Sequence, residues 1–76
     1  MSRITPVSWR RLICVFEQLG YVEAGQRGSH HKLEKPGTAR PLIIPEYSEI
    51  GPDIIHTLIR TASITREQYL ALLENC

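Results

Sequence analysis

The chain has 76 residues, with 9 Lys plus Arg against 8 Asp plus Glu, 42% hydrophobic and 22% charged, which is the profile of one small soluble globular domain spanning 1–76. Folding at this length buries only about 60–65% of the surface of the unfolded chain, which excludes a second domain, leaves little room for an enclosed substrate cavity and puts any chemistry on an open face. The net charge of +1 divides into +4 over residues 1–45 and −3 over residues 46–76, so the front of the chain is suited to attract phosphate, although two plainly solvated surfaces fit the same division.

The first element follows Ser8, where Trp9, Leu12, Ile13, Phe16 and Leu19 recur at the spacing of one helix face turned to a core. Ser8 is the predicted N-cap, and Gly20 stands where a left-handed residue ends such a helix. Cys14 falls outside the apolar stripe, beside Arg10, Arg11 and Gln18, on a face predicted to be basic and uncrowded. Cys14 and Cys76 make neither a secreted disulfide framework nor a metal-ligand spacing, so both are expected as reduced thiols in a cytoplasm. No run approaches the roughly 18 apolar residues of a membrane span, and no apolar core behind basic residues marks a signal peptide.

Beyond Gly20 the text breaks into short segments, with candidate strands at Tyr21 to Arg27, Ser29 to Lys35 and Arg40 to Ile44 forming an antiparallel meander. Lys35-Pro36-Gly37-Thr38 reads as the turn that makes the second and third strands neighbours. Alternation puts His31 on the side of Leu33 and gives His30, Lys32 and Glu34 the opposite, open side. Gly51-Pro52-Asp53 opens a second helix whose stripe is Ile54, Ile55, Leu58, Ile59 and Ala62, with His56 on its surface. Thr65 and Gln68 have the form of a capping box, so a short third helix carries Tyr69, Leu70, Leu72 and Leu73 onto the core.

The densest chemistry is Arg27-Gly28-Ser29-His30-His31-Lys32, two cations, a hydroxyl and two imidazoles around a glycine. Phosphodiester cleavage needs such parts: an imidazole titrates near neutral pH and can take or give the proton, cations balance charge on the transition state, and glycine opens the backbone to phosphate. The same letters also suit an ordinary turn carrying surface histidines, and His31 suits a structural or supporting place on the Leu33 side, where it needs a hydrogen-bond partner. No triad order, paired carboxylates or phosphate-binding loop is legible, and no metal or other cofactor is predicted.

Leu19-Gly20-Tyr21-Val22, then Gly28-Ser29-His30-His31, Ile44-Pro45, Leu58-Ile59-Arg60 and the stretch from Ser63 to Leu70 together resemble the HicA/YcfA-type mRNA interferases of bacterial and archaeal toxin-antitoxin modules, over a core of about 8–73. The resemblance implies an α+β fold like a double-stranded RNA-binding domain, in α-β-β-β-α order with the three-stranded antiparallel sheet packed on helices. It also implies the toxin of a type II module, a cytoplasmic endoribonuclease that cleaves mRNA without a metal and is silenced by a HicB-type antitoxin. The histidine of Gly-Ser-His carries over to His30 alone as the catalytic residue, while charge, hydrogen-bonding groups and nearness to His30, apart from the resemblance, make Arg27, Gly28, Ser29, Lys32, Arg10 and Arg11 the expected RNA contacts. Two departures stand out: Tyr47 occupies a position where many relatives have His, and Asp53-Ile54-Ile55 replaces a common Gly-Thr-Leu helix opening. A non-catalytic module that binds double-stranded RNA, or one that binds another protein, shares the same outline.

Overall fold

A computed structural model describes residues 3–76 of the chain. The order is α1 (Trp9–Glu17), β1 (Val22–Arg27), β2 (His30–Glu34), β3 (Leu42–Pro45), α2 (Pro52–Thr61) and α3 (Arg66–Leu73), the predicted α+β arrangement with its extra C-terminal helix.

Helix α1 begins where the Ser8 hydroxyl accepts from the Arg11 N–H at 3.4 Å. It ends in paired bonds from Tyr21 N–H to Phe16 O and from Gly20 N–H to Glu17 O, a closure that puts Gly20 at φ 99°. Leu12, Val15 and Phe16 are buried, while Trp9, Ile13 and Leu19 are half-buried against the core. Val15, absent from the predicted stripe, is therefore central to it.

The strands form one antiparallel sheet in the order β1-β2-β3. Arg27 pairs with His30 across the two-residue turn Gly28-Ser29, and Gly28 at φ 60° suits the first central position of a type II′ turn. Thr38 N–H bonds Lys35 O at 3.1 Å in the predicted second turn, and His30, His31, Lys32 and Leu33 of β2 face Pro45, Ile44, Ile43 and Leu42 of β3. The third strand starts two residues later than predicted, after Pro41. In β1 a bulge between Glu23 and Gly25 shifts the register, and all six of its residues are exposed.

Leu33, Leu42 and Ile44 line the inner face of the sheet and pack with Leu12, Phe16, Ile55 and Leu58 into one core, closed by Tyr69 of α3. Pro52 opens α2 with Asp53 in its first turn, and the capping box of α3 is complete: Gln68 N–H donates to Thr65 Oγ1 at 3.0 Å and Thr65 N–H to Gln68 Oε1 at 2.7 Å.

Two expectations about α1 are overturned. Cys14 and Cys76 are joined in a disulfide, with Cα atoms 6.1 Å apart, and are not free thiols. The face that carries Cys14 is also not uncrowded, because the end of α3 covers it. Arg11 Nη2 donates to Leu73 O at 3.2 Å, and Gln18 Nε2 to Leu72 O at 2.9 Å. Hydrophobic periodicity registers only apolar contacts, and this second interface of α1 is polar and covalent.

Candidate functional site

Strict alternation along β2 divides the two adjacent histidines: His31 is buried with Leu33, and His30 is exposed with Lys32 and Glu34. Residues facing one another across strands share a side, so Arg27 and Gly25 of β1 and Ile43 of β3 join His30 and Lys32 on the open face, while Pro45, opposite His30, is buried. Arg27, His30, Lys32, Gly25 and Ile43 line a shallow hollow of about 490 Å³ there. A side chain at Gly25 would project toward this space, whereas its hydrogen leaves it open, with nothing within 4 Å of the Cβ position. The His30 side chain has no hydrogen bond or ion pair among the described residues, and Lys32 Nζ lies 3.1 Å from Glu34 Oε2 in a solvent-exposed pair. Such an exposed pair is weakly held. Chemically the hollow offers an exposed imidazole, two cations and accessible strand backbone.

The Gly28-Ser29 turn sits at the rim beside His30 and is fastened from two directions. Gln26 Nε2 donates to Gly28 O at 3.0 Å, and the Glu46 N–H donates to Ser29 O at 2.8 Å. Arg10 and Arg11 are not brought to this face. Arg10 places its guanidinium 4.6 Å above the Trp9 ring, and Arg11 is held by the last turn of α3. Both belong to the helical layer, on the other side of the sheet from His30.

His31 occupies a different environment. Its Nε2 lies 2.6 Å from Glu46 Oε2, and its ring stacks on Trp9 with centroids 4.6 Å apart and planes 16° from parallel. Nδ1 is 3.1 Å from Glu23 Oε1, close enough for strong charge attraction but off the line of a hydrogen bond. The Glu46 hydrogen bond raises the His31 pKa above its usual value; burial opposes this, and Glu23 adds to the rise. His31 thus lies between two carboxylates that hold its proton more tightly than water does. Reading the sequence located the need for a partner but not the partner: Glu46 is 15 residues away, and only the strand pairing brings it near.

No group of three or more His, Cys, Asp or Glu side chains arranged to hold a metal is found among the described residues, and none of the described helices is long and apolar enough to cross a membrane.

Among known protein families, the model of the HicA toxin of bacterial toxin-antitoxin systems matches residues 9–64, from the start of α1 to the residue before the Thr65 cap of α3. A search of curated proteins finds no match to the chain.

Proposed function

Because the chain belongs to the HicA toxin family, as the toxin of a toxin-antitoxin system, we propose that it is an endoribonuclease that cleaves mRNA on the open face of its sheet, with His30 as general acid or base. The observation that carries this reading is the hollow itself: an exposed imidazole with no side-chain partner among the described residues, beside Arg27 and Lys32. In the proposed reaction the ribose 2′-oxygen, losing its proton, attacks the adjacent phosphorus, and the bond to the 5′-oxygen breaks. The products are a 2′,3′-cyclic phosphate and a 5′-hydroxyl. His30 either accepts the 2′ proton or supplies the proton that the 5′-oxygen takes up. Arg27 and Lys32 balance the charge that builds on the phosphoryl oxygens, and Gly28 and Ser29 offer the turn backbone and a hydroxyl to the neighbouring phosphate. No step calls for a metal. Arg10 and Arg11, expected in the RNA contact, are left out of it by their places in the helical layer.

The partner belonging to this family is an antitoxin, and we assign it the HicB type and the open face as its target. Purified wild-type protein and His30→Ala incubated with mRNA in excess chelator test the enzyme. Wild type should cut, and the variant should lose at least about 100-fold in rate. Equal rates would remove His30 from the chemistry. RNA held by the wild type but left intact would instead indicate a non-catalytic RNA-binding module.

A further inference from the structure

Glu46 touches both ends of the segment carrying His30. Its main-chain N–H holds Ser29 O at 2.8 Å, on the residue before His30, and its carboxylate holds Nε2 of His31 at 2.6 Å, on the residue after. The backbone of Glu46 is itself fixed, because Tyr47 N–H closes a three-residue turn onto Pro45 O at 2.8 Å and Tyr47 O accepts from Trp9 N–H at 3.1 Å. Trp9 in turn stacks on the His31 ring. The loop after β3, the start of α1 and the start of β2 thus meet around one carboxylate.

We propose that Glu46 is the positioning residue of the His30 site, acting through Ser29 and His31 to fix where the His30 imidazole stands over the hollow. Glu46 does not touch the reacting phosphate, because its carboxylate lies on the inner side of the sheet with His31 while His30 projects from the other. Strand pairing alone leaves the first residue of a strand free to fray, and His30 is the first residue of β2. Holding the main chain on both sides of it removes that freedom. A displacement of about 1 Å at a catalytic group can lower a rate by about 100-fold, which is the scale on which such a clamp acts. The groups facing His31 are Glu23 from β1, Glu46 from the loop after β3 and, across the Trp9 ring, Arg10 from α1.

This assignment rests on the proposed RNA cleavage, and its test separates the two. Wild type, Glu46→Gln and Glu46→Asp are compared by single-turnover cleavage of RNA, by RNA affinity and by amide exchange at His30 and His31. Glu46→Gln should lower the cleavage rate about 10-fold or more with affinity nearly unchanged and should speed exchange at those amides, and Glu46→Asp should restore part of both. A wild-type rate in Glu46→Gln, or a lowered rate without faster exchange at His30 and His31, would overturn the positioning role. If no protein cuts RNA, the enzyme reading fails, and the exchange data alone decide whether Glu46 clamps the turn: unchanged exchange refutes the clamp and faster exchange upholds it.

Discussion

At the scale of single residues, the two neighbouring histidines show how one alternation separates two chemistries. His31 is buried to 5% exposure between Glu23 and Glu46, and its pKa is raised mainly by the hydrogen bond to Glu46. A histidine whose folded pKa lies above its unfolded value binds its proton more tightly when folded. The stability it contributes is complete below about pH 6.5 and is lost as the pH rises through the folded value. Urea midpoints of the wild type should therefore fall over the range above about pH 6.5, and His31→Gln should flatten that decline. Midpoints that rise over the range would contradict the raised pKa of His31. The exposure of His30 and the burial of His31 were legible from Leu33 alone, since a period of two assigns the faces once one apolar residue is placed. Glu23, Glu46 and Trp9 around His31 were not, because they arrive from three different elements, and one chain's sequence gives no measure of such distances.

At the scale of elements, local signals fixed the helices well wherever a cap is made by neighbours in sequence. Ser8, Gly20 and the Thr65-Gln68 box all act as read. The end of α2 was not foreseen: Ile64 N–H bonds Ile59 O and Ser63 N–H bonds Arg60 O, which drives Ser63 to φ 58° without a glycine. A side chain in that region is strained, so Ser63→Gly should stabilise the protein by roughly 0.5–1 kcal/mol, read from thermal or urea unfolding. A destabilised variant would show that the serine side chain has a role the strain argument lacks. The link between α1 and the end of the chain was equally illegible, being made by Arg11, Gln18 and a disulfide closing a sequence separation of 62 residues. A loop of that length loses much conformational entropy in the unfolded chain when cross-linked. Reduction, or Cys14→Ser, should lower the unfolding free energy by about 2–4 kcal/mol. Coincident unfolding curves with and without a thiol reductant would remove the cross-link from the account of stability.

At the scale of the whole molecule, the helices cover one side of the sheet and leave the other bare, so the candidate site is a face and not a pocket. Inhibition by an antitoxin then needs no change in the toxin's fold. A partner burying about 800 Å² on each side would cover His30 together with Arg27 and Lys32. The face also carries apolar residues suited to such contact, Val22 at 59% and Ile43 at 46% exposure, beside the two cations. Acidic groups on the antitoxin would pair with Arg27 and Lys32, the proposed phosphate contacts, so association should be fast at low salt and slow as salt is added. The competing route is a grip on the helical side that acts on His30 at a distance, through a second arrangement carried across the one core that joins helices and sheet. Amide exchange with and without the antitoxin distinguishes the two. Protection should appear at Ser29 to Lys35, and protection confined to Ile54 through Leu73 with the β2 amides unchanged would show that the open face is not where the antitoxin binds.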